Sequence, residues 1–362
     1  MIRIIVTDDS RVITMLLTAL IEKEPDMEVV GTASNGKEAV EMTQQLKPDI
    51  ITMDIRMPVM NGFEATREIM ATQPTPILVV SASVHTEDLK ITFNAIESGA
   101  LAVIEKPPGL EGENYERIRS SLINHIRALS VVKVKKIPAK DKKAASIHLT
   151  TEGVVSLHKG SPQNDLVALG SSVGGPPVLS KILSSLPHDF PIPIVIVQHM
   201  ASGFIGGFVD WLNHSSRLIV KLAEDGEALQ PGVAYVGPGD KHFTLKRNSK
   251  KIMVSLSDEP HDSVFRPSVD ELFLSVAKTS PGHAIAGLLT GMGSDGAKGL
   301  LQLHEQHCHT FIQDEKTCVV FGMPGVAKEL GAYQDEVSEE DISNYIITHL
   351  NYIKNSRQEK RK

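Results

Sequence analysis

The sequence predicts an α/β protein built from two doubly wound parallel-sheet domains, the second with an antiparallel strand insertion. Three observations lead there. Short apolar runs alternate with helical patterns from residue 1 to about 130. The same alternation resumes at Asp165, after a lysine-rich stretch. Between Val220 and Leu256, several short strand candidates are separated by Pro-Gly and Gly-Asp turns, which suits antiparallel pairing.

In the first half the apolar runs are Ile2–Val6, Met27–Val30, Asp49–Met53, Ile77–Val80 and Leu101–Ile104. After Ser10, a good N-cap, apolar residues recur at Val12, Leu16, Leu20 and at Ile13, Leu17, Ile21, which is helical spacing. Five strands alternating with five helices imply a parallel sheet covered on both faces. In the second half, Leu166–Gly170, Ile194–Gln198, Ala284–Thr290 and Thr310–Gln313 read as buried strands, and a helix is expected from about Glu339 to Leu350. The expected boundaries are a first domain over 1–125, a linker over 126–164, a second domain over 165–350 and a basic, disordered tail over 351–362. Lys133, Lys135, Lys136, Lys140, Lys142 and Lys143 crowd the linker. It reads as a solvated hinge, with a docking site for an acidic partner as the alternative.

Composition narrows the function. An apolar fraction of 41% in 362 residues suffices for two cores, and with aromatics at 4% aliphatic side chains must fill them. A net charge of -7 argues against general nucleic-acid binding, which needs a basic face. The two cysteines, Cys308 and Cys318, form no disulfide framework, and a cytoplasmic location fits. No apolar run reaches about 18 residues, so no membrane insertion is expected. The opening Met1–Val6 reads as a strand and lacks the pattern of a secretory signal.

In a doubly wound sheet, ligands collect at the carboxyl ends of the strands. Asp8 and Asp9 end the first strand, Asp54 the third and Ser81 the fourth, and Lys106 follows the fifth. A lone aspartate at a strand end is usually a turn or cap residue. Five polar residues at one sheet edge are much harder to explain that way. Three neighbouring carboxylates repel unless a cation neutralises them, and hard oxygen ligands of this kind suit Mg²⁺. Lys106 can offset the charge of a phosphoryl group on Asp54, and Ser81 can donate a hydrogen bond to it.

These residues, with Thr7-Asp8-Asp9-Ser10, Met53-Asp54 through Asn61-Gly62, Ser81-Ala82 and Glu105-Lys106-Pro107, resemble the response-regulator receiver family over nearly all of residues 1–125. The resemblance implies that Asp54 accepts a phosphoryl group. It implies that Asp8, Asp9, Asp54 and the backbone carbonyl of Arg56 bind Mg²⁺, and that Ser81 and Lys106 read out the phosphoryl group. Val103 stands where receivers often carry an aromatic switch residue.

In the second half, Leu166–Leu169 runs into Gly170-Ser171-Ser172-Val173-Gly174-Gly175-Pro176-Pro177. This matches G-x-S-x-G between a strand and a helix, where glycines permit a sharp turn and the helix start supplies free N–H groups. A nucleophile elbow and a packing or phosphate loop both remain open on this motif alone. A dinucleotide loop fits poorly, because Pro176 and Pro177 remove N–H donors. His199 ends the next strand, and Asp295 lies on the glycine-rich loop after a later one. Serine, histidine and aspartate at three strand ends match the logic of a catalytic triad. Their chain order differs from that of α/β-hydrolases. His242, His261, His304, His307 and His309 read as surface or packing residues, and Trp211 and Met323 as core.

Gly170–Gly175, Val197–Met200, Phe265–Asp270, Leu289–Gly296, Gln313-Asp314-Glu315 and Cys318–Pro324 resemble the catalytic domain of the chemotaxis protein-glutamate methylesterases (CheB), over about Asp165–Ala332. A receiver followed by this domain is the architecture of that family. The resemblance implies Ser172 as nucleophile, His199 as base, Asp295 as orienting acid and an oxyanion hole lined by backbone near Met292. Ser171 becomes an adjacent decoy. Val173 replaces the threonine usual after the nucleophile. The implied activity is hydrolysis of glutamyl methyl esters on the cytoplasmic helices of chemoreceptors, with deamidation of specific glutamines. A chemotaxis-type histidine kinase would be the phosphodonor, and the hydrolysis itself needs no cofactor. Two other readings stand beside it: a receiver fused to a DNA-binding output domain, which the strand-rich second half contradicts, and a catalytically silent receiver adaptor.

Overall fold

Apolar runs too short for helices and bounded by turn residues become strands, and the longer amphipathic stretches between them become helices. The structure, a computed structural model, describes residues 1–82, 86–107, 115–137, 161–162, 164–249, 251–258, 265–350 and 352–353. Lys140, Lys142, Lys143, His261 and residues 354–362 lie outside the described residues. The chain divides into two units, Met1–Ala144 and Ala145–Lys362.

The first unit runs β1 (Ile2–Thr7), α1 (Arg11–Ile21), β2 (Met27–Ala33), α2 (Gly36–Leu46), β3 (Ile50–Met53), α3 (Gly62–Thr72), β4 (Ile77–Ser81), α4 (Thr86–Glu97), β5 (Ala102–Glu105) and α5 (Tyr115–Ser130). Its five strands are parallel in the order β2-β1-β3-β4-β5. β3 and β4 are buried along their whole length, as a sheet covered on both faces requires. Ser10 caps α1 as its position predicts, and Asn61 with Glu64 forms a capping box on α3. α5 continues to Ser130, past residue 125, because Ile126 and Leu129 extend the face that Leu122 and Ile123 bury. The order of the sheet reverses between β1 and β3, opening a crevice at their carboxyl ends.

The second unit runs β6 (Ser161–Pro162), β7 (Leu166–Ser171), α6 (Gly175–Ser185), β8 (Ile194–Gln198), α7 (Ser202–Ser215), β9 (Ile219–Leu222), β10 (Val233–Val236), β11 (His242–Asn248), β12 (Lys251–Ser257), α8 (Val269–Thr279), β13 (Ala284–Leu288), α9 (Ala297–Glu305), β14 (His309–Gln313), α10 (Met323–Glu329), β15 (Asp335–Val337), α11 (Ile342–Thr348) and β16 (Tyr352–Ile353). Seven strands form one parallel sheet in the order β15-β14-β13-β7-β8-β10-β9. The switch point lies between β13 and β7.

Among the described residues, antiparallel strand pairs are the β11–β12 hairpin and the short β6–β16 pair, with an isolated antiparallel bridge from Ala228 to Met253 of β12. β9 and β10, placed with the insertion by sequence, instead extend the parallel sheet. The reason is visible in β10, where all four residues are buried and so need cover on both faces. α11 is shorter than the expected 339–350 stretch, since Glu339 and Glu340 turn outward to pair with Lys181. Tyr352 and Ile353 pair with residues 161–162 and so are strand, where the sequence suggested a disordered tail. Met323 is fully buried. Trp211 is only half-buried: it follows Phe208 by three positions on α7 and stacks beside it, 6.2 Å between ring centres, at the margin of the core.

Candidate active site and phosphoacceptor site

In the first unit, Asp8 and Asp9 directly follow β1 and Asp54 directly follows β3. They therefore meet at the switch-point crevice, with carboxylate oxygens within 4.8 Å of one another. Asp8 and Asp54 are buried and Asp9 is exposed. Lys106, just past β5, places Nζ 2.7 Å from Asp8 Oδ2 and 2.9 Å from Asp54 Oδ1. Burial pushes the Asp54 carboxyl up to about 6, with the Asp8 charge adding to the shift and Lys106 opposing it. Burial alone would lower Lys106, but its ion pairs with Asp8 and Asp54 hold it above the usual range.

Asp8 Oδ2 lies at ion-pair distance from Lys106 yet accepts no well-directed hydrogen bond. Three carboxylates gathered this closely carry more negative charge than Lys106 neutralises, and oxygen ligands of this kind fit a hard divalent cation. Ser81, the last residue of β4, is buried at the same edge, and its carbonyl accepts the Lys106 amide at 3.0 Å. Arg56 sits two residues beyond Asp54 on the exposed part of the loop. That loop closes tightly: a Cβ on Gly62 would lie 2.1 Å from the Asp54 carbonyl oxygen. Val103 is packed within β5.

In the second unit, β7 delivers Ser171 and Ser172, β8 delivers His199, and the loop after β13 delivers Asp295. The turn after Ser172 needs glycine, since Gly174 has φ 78° and a Cβ there would meet the Val319 side chain at 2.6 Å. The two serines differ sharply. Ser171 is fully buried, and its hydroxyl donates to Gln198 Oε1 at 2.6 Å. Gln198 Nε2 in turn donates to the carbonyls of Ser172 (2.8 Å) and His199 (3.0 Å). Ser172 is partly exposed, and among the described residues its hydroxyl has no hydrogen-bond partner, His199 included.

His199 Nε2 lies 2.7 Å from Asp295 Oδ2. The same carboxylate also accepts from Ser268 Oγ (2.8 Å), the Val269 amide (2.7 Å) and the Asp270 amide (3.1 Å). Burial raises its pKa, but the bond from His199 and these backbone donors outweigh burial and hold the carboxyl below the usual range. Asp295 is thus an ionised acceptor at a helix start, and Nε2–H is the donor. The Met292 loop is pinned on both sides. The Gly291 amide donates to Val320 O, and Gly291 O accepts from the amides of Gly322 and Met323. The amides of Met292 and Val173 have no partner among the described residues, so both can donate to a bound oxyanion.

Some residues of this site carry no assigned role in the sequence reading. Phe265 stacks on the His199 ring, centroids 4.5 Å apart and planes 8° apart. Thr290 donates its hydroxyl to Val173 O at 2.9 Å and anchors the turn. Ser268 begins an S-x-x-E capping signal with Glu271, which marks the start of α8. The signal locates a helix and does not reveal the carboxylate 27 positions away that shares its cap.

The family profile described as CheB methylesterase matches residues 167–346, and that described as response regulator receiver domain matches residues 4–112. A Geobacter metallireducens protein named protein-glutamate methylesterase/protein-glutamine glutaminase 4 is 43% identical over 333 residues, spanning 92% of this chain and 94% of the relative. One from Methanospirillum hungatei, named protein-glutamate methylesterase/protein-glutamine glutaminase 2, is 42% identical over 96% of this chain and 97% of its own. The crystal structure of the Thermotoga maritima CheB methylesterase catalytic domain superposes with a TM-score of 0.50 and 39% identity, covering 51% of this chain and 98% of that one.

Proposed function

The chain belongs to the protein-glutamate methylesterase/protein-glutamine glutaminase family, and from that premise we propose that it removes methyl groups from glutamyl esters on chemoreceptor cytoplasmic helices. Phosphorylation at Asp54 controls it. The observation that carries the reading is the His199–Asp295 pair at 2.7 Å, on the same sheet edge as the one serine of the turn whose hydroxyl is not tied up.

Ser172 Oγ attacks the ester carbonyl carbon, and His199 takes the hydroxyl proton. With Nε2–H committed to Asp295, the accepting nitrogen is Nδ1. The carbonyl oxygen becomes an oxyanion facing the free amides of Met292 and Val173. The C–O bond to the methoxy group breaks, His199 returns the proton, and methanol leaves. Water, deprotonated by the same ring, then hydrolyses the acyl-enzyme, releasing a free γ-carboxylate and Ser172. A glutamine side chain in the same pose would lose ammonia and give glutamate.

In the first unit, Asp8, Asp9 and Asp54, with the Arg56 carbonyl, would hold Mg²⁺, which neutralises charge around an incoming phosphoryl group. The Asp54 carboxylate accepts the phosphoryl group, Lys106 offsets the added charge and Ser81 donates a hydrogen bond to it. A chemotaxis-type histidine kinase in the cytoplasm supplies the phosphoryl group. The test is methanol release from methylated receptor membranes. Release that depends on Ser172 and rises with a small phosphodonor supports the reading; a chain that binds receptors but releases no methanol would be a silent adaptor.

A further inference from the structure

Asp295 is held in an unusual way for a group whose task is to orient a histidine. The start of α8 supplies three of its four donors: the Ser268 hydroxyl and the amides of Val269 and Asp270. Ser268 is fully buried. Its hydroxyl serves twice, accepting the Glu271 amide as the N-cap of α8 and donating to Asp295 Oδ1. The arrangement is reciprocal. Asp270, on α8, accepts the Gly299 amide in the first turn of α9 at 2.7 Å. Two helix starts thus exchange carboxylates, which fixes the Asp295 loop against α8. A Cβ on Gly299 would lie 2.9 Å from the Asp270 carbonyl oxygen, so the two helices meet in close contact there.

Three residues before Ser268, Phe265 lies flat against the His199 ring. Phe265 is nonetheless 41% exposed. One short segment therefore touches both members of the pair: its first residue covers the imidazole face, and its last grips the carboxylate.

We infer that Phe265 and Ser268 are positioning residues that set the plane of the His199 ring and the charge available on Asp295. The inference rests on the reading of His199 and Asp295 as base and orienting acid. The two residues act on the imidazolium in opposite directions. A donor to Asp295 draws charge from the carboxylate, so losing the Ser268 hydroxyl leaves more negative charge facing the imidazolium and favours it. The face of Phe265 attracts the imidazolium directly, so losing the ring disfavours it. Asp270 from α8 interacts electrostatically with Asp295, and Lys298 from α9 interacts in turn with Asp270; both are retained in every variant. Arg266, beside Phe265, is exposed and also retained.

The experiment uses full-length protein, with methanol release from methylated receptor membranes followed as a function of pH. Ser268→Ala should lower kcat on the order of tenfold, the worth of one charge-assisted hydrogen bond, with KM little changed. Its acid limb should move to higher pH. Ser268→Gly should behave alike while keeping most of the helix cap, since glycine replaces a serine N-cap at small cost. Phe265→Leu should lower kcat and move the acid limb to lower pH, and Phe265→Tyr should restore both. A lower rate with an unmoved limb in both the Ser268 and Phe265 variants would reduce these residues to a purely structural role and overturn the inference; so would unchanged rate and limb. If neither Ser268 variant folds, Phe265→Leu, altered at a half-exposed position, decides alone. His199→Ala separates the two levels: activity surviving there overturns the triad, whereas its loss beside unaffected Ser268 and Phe265 variants overturns only the positioning roles.

Discussion

Both units bury an aspartate that their chemistry depends on at the switch point of a parallel sheet, Asp54 at 4% exposure and Asp295 at 6%, yet their environments drive the two carboxyls apart. Asp54 is pushed up to about 6, first by burial and then by the Asp8 charge, with the Lys106 ammonium opposing both. Asp295 feels the same burial but is held low, first by His199 and then by the two amides of α8 that donate to it. Burial alone therefore does not set the charge of a carboxylate; the number of committed donors does. A group short of donors can change its charge state and suits a switch. A group saturated with them keeps one charge and one orientation and suits a fixed part of a catalytic site.

The largest effect that could break this comparison lies beside the fixed carboxylate. Ser172→Ala should abolish methanol release, a loss on the order of 10⁶ in kcat for a triad nucleophile, while Ser171→Ala should spare much of it. Equal activity in the two variants would remove the site that Asp295 is said to serve. Next in size, Asp295→Asn should lower kcat by about 10⁴, because an amide can hold the ring in the wrong tautomer. Near-normal turnover in that variant would mean that the four-donor cradle serves only the fold.

On the switch side, Asp54 should take up phosphoryl label from a small donor only with Mg²⁺ present, and Asp54→Ala should take up none. Equal labelling of that variant would place the acceptor elsewhere. The smallest effect is on stability. With its folded pKa above the unfolded value, Asp54 binds a proton more tightly folded than unfolded, so without metal its contribution to stability falls as pH rises from about 4 toward about 6 and stays low above that. Asp54→Asn should then stabilise the metal-free first unit at neutral pH, on the order of 2 kcal/mol, with the gain vanishing near pH 4. Calorimetry at the two pH values reads this directly, and a destabilised variant at neutral pH would show that Asp54 is not charge-frustrated.

Much of this could be read from the chain because the relevant signals are local. Asp8, Asp54 and Ser81 sit within a residue of strand ends that the apolar runs mark, and the strand-turn-helix spacing singles out Ser171 and Ser172. What separates those two serines is not local. It depends on Gln198, a strand away, which accepts from Ser171 and leaves Ser172 free. The opposite pKa shifts of Asp54 and Asp295 likewise depend on the folded surroundings: burial outweighs the opposing Lys106 in one unit, whereas His199 and the start of α8 outweigh burial in the other. The parallel placement of β9 and β10 was hidden because Pro-Gly and Gly-Asp turns punctuate strands in either direction.

The most direct test of a switchable and a fixed carboxylate working in one chain is methanol release by the full-length protein, with and without a small phosphodonor. Release should be faster with phosphodonor, unaccelerated in Asp54→Ala, and absent under either condition in His199→Ala. Acceleration that survives in Asp54→Ala, or release that survives without His199, would contradict this division of roles.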